Sequence, residues 1–243
     1  MKKTDRVIVI PDVHGRSFWR DAVGDNPESD VIFLGDYLDP YANEGITPEE
    51  AIDNFEDIIS YAKENKDCQL LLGNHDVQYL CNFGAMSRID YENSARIHYL
   101  FMDNLWLFRF VALRDIGGSI VLFSHAPILT EWIDAVGETT NLTLLANRMN
   151  ALLAKIGTAP WDIEEYIGQI SFWRGGYDDF GSPIWADVRE VTDNLIPTAD
   201  YCVFGHTQQK KDPVITDEWA CLDCRKAFEI EALLPSAISI KAV

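Results

Sequence analysis

Residues 70–80 read LLLGNHDVQYL. Leu70, Leu71 and Leu72 look like a strand heading into a core, yet Gly73, Asn74, His75 and Asp76 follow at once. A buried apolar run that stops in polar side chains is what a rigid strand needs to present chemistry at its end. The arrangement recurs four times. RVIVI at 6–10 runs into Pro11-Asp12-Val13-His14-Gly15, and VIFL at 31–34 into Gly35-Asp36-Tyr37-Leu38-Asp39. VLF at 121–123 runs into Ser124-His125-Ala126, and YCVF at 201–204 into Gly205-His206-Thr207-Gln208. Short β-branched or aromatic runs bounded by turn residues read as strands covered on both faces.

Between the second and third strands lies the clearest helix. Thr47, Pro48, Glu49 and Glu50 supply an N-cap, a proline at the first helical position and a capping-box glutamate. Ala51, Ile52, Phe55, Ile58, Ile59 and Ala62 then recur at helical spacing. Strands alternating with helices predict an α/β fold. The stretch from about 128 to 198 differs. Asn141 caps a helix that runs to Gly157 with a stripe of Leu142, Leu145, Met149, Leu152, Leu153 and Ile156, and DIEEYIGQI at 162–170 predicts a second, short helix. This segment reads as a helical cap inserted in a single domain spanning 1–243.

With 243 residues, 47% of them hydrophobic, the chain can bury a sizeable core. No stretch approaches the roughly 18 consecutive apolar residues of a membrane span. VIVI at 7–10 is too short for a secretory core, and five irregularly spaced cysteines suit free thiols, so a cytoplasmic location without a membrane partner is expected. Cys221 and Cys224 form one C-x-x-C with no second pair, which argues against structural zinc. A net charge of −19 argues against nucleic acid as partner.

Strand ends in α/β sheets gather ligands, so the five polar clusters can meet at one place. The chain has five histidines, and four of them (His14, His75, His125 and His206) fall at these ends. Singly, each cluster has an ordinary reading: a turn at Gly35-Asp36, a helix cap at Asn74, a structural histidine at His125. Jointly they point to a metal site, since carboxylates and imidazoles suit Mn, Fe, Co, Ni or Zn.

PDVHG, GDYLD, LGNHD, SHAP and FGHTQ together resemble the signature blocks of the calcineurin-like metallophosphoesterases, over residues 11–208. The resemblance implies a two-sheet β-sandwich flanked by helices and a centre of two divalent metal ions, with manganese expected and iron, zinc, nickel or cobalt as alternatives. It implies that Asp12, His14 and Asp36 hold one metal and that Asp36, Asn74, His125 and His206 hold the other. His75 and Asp39 match the family's catalytic dyad, with His75 protonating the leaving alkoxide and Asp39 orienting it. The function implied is hydrolysis of a phosphate ester by a metal-activated water, as a phosphomonoesterase or protein phosphatase. Dinucleoside polyphosphate or nucleotide hydrolysis is the alternative, with a phosphodiesterase or non-catalytic scaffold behind it. The expected partner is accordingly a phosphorylated substrate, either phosphoprotein or nucleotide.

Three positions depart from the pattern. Pro40 stands where the protein-phosphatase branch has a phosphate-gripping arginine, Asp76 where it has glutamate, and Gln208 where many relatives have a further histidine. Arg174, beside Gly175 and Gly176, is the first candidate to grip phosphate instead, and Arg16 the second. His98 reads as a packed histidine, the aromatics from Trp161 to Trp185 as core or cap packing with stacking on a nucleobase as the alternative, and Asp223 as a structural residue near the site.

Overall fold

The computed structural model describes residues 1–24, 26, 29–81, 88–233 and 237–243. In chain order its strands are β1 (Lys2–Thr4), β2 (Arg6–Ile10), β3 (Asp30–Phe33), β4 (Cys68–Leu71), β5 (Phe108–Arg109), β6 (Val111–Ile116), β7 (Ser119–Ser124), β8 (Tyr201–Phe204), β9 (Val214–Ile215), β10 (Trp219–Cys221), β11 (Phe228–Leu233) and β12 (Ala237–Ala242). Its α-helices are α1 (Trp19–Gly24), α2 (Pro48–Glu64), α3 (Asn74–Leu80), α4 (Ser94–Asp103), α5 (Thr130–Ala135), α6 (Leu142–Ala151) and α7 (Pro160–Ile167).

The strands form two mixed six-stranded sheets, ordered β12-β11-β2-β3-β4-β5 and β1-β6-β7-β8-β10-β9. β2, β3, β4 and β5 run parallel, as do β7, β8 and β10, so the five motif-bearing strands end on one side of their sheets. Side-chain parity sorts the core. Val7, Val9, Ile32, Leu34, Leu71, Val121, Phe123 and Val203 pack between the sheets. Their neighbours Ile8, Ile10, Val31, Phe33, Leu70, Leu72, Leu122 and Phe204 point to the outer layers. A strand with both faces buried shows no alternation of polarity, only a continuous apolar run, and here each face meets a different layer. This is the architecture that the resemblance implies: two sheets face to face, flanked by helices.

Helix α2 starts at the predicted box. The Thr47 hydroxyl accepts from Glu50 N (3.2 Å), and Glu50 Oε2 accepts from Thr47 N (2.8 Å). Ala51, Ile52, Phe55, Ile58, Ile59 and Ala62 are buried. Between β7 and β8 the chain carries α5, α6 and α7. The helix expected to reach Gly157 ends at Ala151 and tightens into a 3-10 turn over Leu152–Lys155, keeping Leu152, Leu153 and Ile156 buried. α7 begins at Pro160, where a proline suits the first turn. The aromatics expected to pack do so only in part. Trp185 is buried, but Trp161, Phe172, Trp173 and Tyr177 are 76%, 80%, 49% and 102% exposed. His98 is a packed histidine, its Nδ1–H donating to the Tyr79 carbonyl (2.8 Å). No helix among the described residues is long and apolar enough to cross a membrane.

Candidate metal centre

The loops after β2, β3, β4, β7 and β8 are laced together by backbone. His14 N and Val13 N donate to Asp36 O (2.7 and 3.1 Å), and Gly205 N donates to His125 O (2.9 Å). Asp76, fully buried on the first turn of α3, accepts from three N–H groups: Asp36 N (2.7 Å), Gly73 N (2.8 Å) and Tyr37 N (3.1 Å). It fastens the end of β3 to the end of β4.

This lacing forces unusual backbone. Six non-glycine residues among those described have left-handed φ, and four of them are His14, Asp36, Asp39 and His206. Such a conformation costs about 1–3 kcal/mol each and persists only where the surroundings over-determine it, as they do at functional sites. Two glycines are required by proximity. A Cβ on Gly73 would meet Asp36 Oδ1 and the His125 ring, and one on Gly205 would meet Asp12 Oδ1.

The result is two groups of buried donors that share one carboxylate. Asp12, His14 and Asp36 offer ligand atoms within 4.8 Å of one another, and so do Asp36, His125 and His206. The proton bookkeeping shows that the groups suit cations. His14 Nδ1 donates to the Leu38 carbonyl (2.7 Å), so in the neutral ring the lone pair sits on Nε2, 3.6 Å from Asp36 Oδ2. His125 Nδ1 donates to the Leu34 carbonyl (2.9 Å), so its Nε2 lone pair faces Asp36 Oδ1 (3.6 Å), Asn74 Oδ1 (3.0 Å) and His206 Nδ1 (3.1 Å). The other nitrogen of His206, Nε2, is buried without a hydrogen-bond partner. Lone pairs turned toward one another with few protons between them are what a divalent cation satisfies.

The electrostatics agree. Burial pushes the His14 imidazole down to about 3 and the His206 imidazole well below its ordinary value, which leaves both as neutral ligands. Burial opposes ionisation of Asp36, but His125, His75 and His14, with the His75 N–H, outweigh it and hold the carboxyl at about 2. Burial raises the Asp12 carboxyl, the ordinary response of a carboxylate stripped of water.

His75 and Asp39 stand at the mouth. His75 Nδ1 and Asp39 Oδ2 are 2.6 Å apart, and the Tyr79 hydroxyl donates to the other Asp39 oxygen at 2.5 Å. The His75 N–H donates to Asp36 Oδ1 (3.0 Å), which ties the dyad to the shared carboxylate.

The structure places the two candidate arginines differently. Arg174 lies close to the centre, its Nη1 3.4 Å from Asp187 Oδ2 and its Nη2 3.5 Å from the His206 carbonyl. Arg16 points its guanidinium at Glu44 through two bonds (2.9 and 3.0 Å) and at the carbonyls of Asp12 and Val13, so it braces the first loop. Gln208 is exposed. The buried carboxylate beside the first group is instead Asp223, whose Oδ1 has no hydrogen-bond partner and whose carboxyl is raised by burial and by Asp12.

Sequence reasoning missed Arg88. Its Nη2 is 3.1 Å from His75 Nε2, its Nη1 donates to the Asp39 carbonyl, and its guanidinium lies 3.8 Å over the Tyr41 ring. It too has left-handed φ. One signal was present: Arg88 is the sole charged residue between Asp76 and Asp90. Tyr79 could also have been found, because it lies four residues after His75 on one helix face.

No curated protein matches the chain. Among solved structures, a Thermotoga maritima protein determined by solution NMR is 14% identical, covers 99% of each chain and has a TM-score of 0.38. A metallophosphoesterase from Sphaerobacter thermophilus is 13% identical over 98% of this chain and 88% of its own, with a TM-score of 0.44. A hypothetical protein from Pyrococcus horikoshii OT3 is 10% identical over 98% of this chain and 87% of its own, also with a TM-score of 0.44. The family model for calcineurin-like phosphoesterases matches residues 5–210, a span that contains both donor groups and the His75–Asp39 pair. The chain belongs to the calcineurin-like phosphoesterase family, hydrolases that act on phosphate esters.

Proposed function

We propose that this chain is a two-metal phosphomonoesterase. The observation that carries the reading is the presence of two guanidinium groups beside the centre, Arg88 against His75 Nε2 and Arg174 against the His206 carbonyl. A terminal phosphoryl group carries a second negative charge and a third free oxygen that a diester lacks. Flanking arginines, with planar forks that pair phosphate oxygens, match that excess.

Asp12, His14 and Asp36 would hold one divalent cation, and Asp36, Asn74, His125 and His206 the other; manganese is our choice among metals that suit carboxylate and imidazole. Bound there, the pair would neutralise phosphoryl charge and make a water nucleophilic at neutral pH. The chain's own residues do the rest. Arg88 and Arg174 orient the phosphoryl oxygens. When a dianion draws Arg88 away from His75, Nε2 can take up a proton from solvent while Nδ1–H stays on Asp39, and give it to the leaving alkoxide oxygen as the P–O bond breaks. Asp39 holds the ring through Nδ1, and Tyr79 holds Asp39. Arg16 keeps the Asp12 loop in place by its bonds to Glu44 and to that loop's carbonyls.

A second reading, hydrolysis of nucleotides or dinucleoside polyphosphates, draws on Phe172, Trp173 and Tyr177. These exposed rings flank Arg174 in sequence and offer stacking faces for a base. The test is metal-stripped protein reloaded with Mn²⁺ and given p-nitrophenyl phosphate, its bis ester and diadenosine tetraphosphate. Faster turnover of the monoester supports the proposal. Faster turnover of the bis ester, or of the polyphosphate alone, overturns it.

A further inference from the structure

A cavity of about 520 Å³ opens beside the His75–Asp39 pair, within the size range of small-molecule sites, roughly 300–1,000 Å³. It shares two lining residues with the candidate centre, Asp39 and Arg88, and both touch His75. Its floor is Leu38, Ile52 and Ile97, all buried, and its walls include Pro40, Ile46 and Ile89. Tyr91, 70% exposed, stands at the mouth.

We infer that this cavity receives the leaving group of the substrate, and that the leaving group is an uncharged, bulky, apolar alcohol. The inference rests on the phosphomonoesterase reading, in which the leaving oxygen lies at His75 Nε2. A substituent on that oxygen passes Arg88, which touches His75 Nε2 and lines the cavity. The walls then decide its chemistry. Among the described lining residues Arg88 is the one cation, and its guanidinium is already engaged by His75, the Asp39 carbonyl and the Tyr41 ring. Asp39, Asp90 and Glu92 contribute carboxylates. Asp90 holds the backbone and side chain of Asn93 (3.0 and 2.7 Å), which fixes a negative charge at the rim. Among the described lining residues a second phosphate would meet carboxylates and no free cation, whereas an apolar group would cover Ile46, Ile52, Ile89 and Ile97.

The test compares ethyl phosphate with 2-(2-naphthyl)ethyl phosphate on the Mn²⁺-loaded protein, since the two leaving alcohols are of nearly equal acidity. The expected preference in kcat/KM for the naphthyl ester is about tenfold or more. Ala42→Trp, which fills the cavity from an exposed turn, and Ile89→Glu, which charges its wall, should each bring the ratio to about one. In calorimetry, 2-(2-naphthyl)ethanol alone should bind the unsubstituted protein and not the Trp variant. A ratio of one or less in the unsubstituted protein, or a preference and binding that both variants retain, overturns the inference while leaving the phosphomonoesterase reading intact. Failure on both esters and on p-nitrophenyl phosphate overturns that reading and this inference with it.

Discussion

Arg88 Nη2 lies 3.1 Å from His75 Nε2, on the side of the ring opposite Asp39. A guanidinium has only donors, so this contact requires an unprotonated Nε2 with the ring proton on Nδ1 toward Asp39. In the proposed mechanism Arg88 occupies the place of the leaving oxygen in the resting protein and exchanges His75 for phosphate during turnover. Arg88→Ala should lower kcat/KM for phosphate monoesters about 10–10²-fold, the value of one charge-assisted hydrogen bond. Arg88→Lys should recover only part, because a point charge does not reproduce a planar fork. Steady-state kinetics with metal content measured in parallel checks this; unchanged kcat/KM in the Ala variant would remove Arg88 from the site.

His75→Ala should reduce kcat about 10²–10⁴-fold for alkyl phosphates while metal stays bound. The loss should shrink as the leaving group becomes more acidic, because p-nitrophenolate departs without a proton. The measurement is the slope of log kcat against leaving-group pKa for both proteins. Equal slopes would mean that His75 does not act as the acid.

Asp36 belongs to both donor groups, whereas His14 belongs to one and His206 to the other. His14→Ala and His206→Ala should each cost one bound metal, and Asp36→Ala should cost both. Metal analysis after dialysis, with calorimetric titration of Mn²⁺, checks the stoichiometry. Each loss should exceed the ~10–100-fold that changes to the partners of ligands bring about.

Asp76 makes a prediction about stability rather than chemistry. Asp76→Ala leaves the N–H groups of Asp36, Gly73 and Tyr37 buried without acceptors. Each orphaned donor costs about 1–3 kcal/mol, so a loss of about 4 kcal/mol is expected. For a chain of this size that lowers Tm by about 8–16 °C. Thermal unfolding of the metal-free protein gives the answer, and a shift below ~2 °C would mean the loops find other acceptors.

Much of the centre was legible because its information is local. Each strand carries an apolar run of three to five residues and each polar cluster begins within three residues of its end, so Asp12, His14, Asp36, Asn74, His125 and His206, which the fold gathers, could be picked out as candidates in advance. The division into two sheets was not local. A run such as VIFL, buried on both faces, has no alternation to tell which layer each side chain meets, and the resemblance supplied that expectation. Arg88 escaped because it reaches His75 only through the fold. Arg16 was read from its closeness to the first motif, but closeness in sequence did not foretell the salt bridge to Glu44, 28 positions away. The exposed rings at Phe172, Trp173 and Tyr177 were misjudged because composition cannot say which face of an inserted segment lies against the core.

Asp223 should show opposite effects with and without metal. It is 2% exposed, its Oδ1 has no partner, and Asp12 is among the causes that raise its carboxyl. With no cation present, two buried carboxylates repel each other and each has lost its water, so Asp223→Asn relieves both terms and should raise the Tm of the metal-free protein. With a cation at Asp12 and His14, the same negative charge becomes favourable, because it attracts the cation. Asp223→Asn should then weaken binding at that group about 10–100-fold and leave the His125–His206 group nearly unaffected. Thermal unfolding of stripped protein, paired with Mn²⁺ titration, separates the two effects. A substitution that lowers stability in both states would make Asp223 an ordinary structural carboxylate. A gain in the stripped protein with a loss of affinity in the loaded one would identify it as the group that serves the first metal where Gln208, turned to solvent, does not.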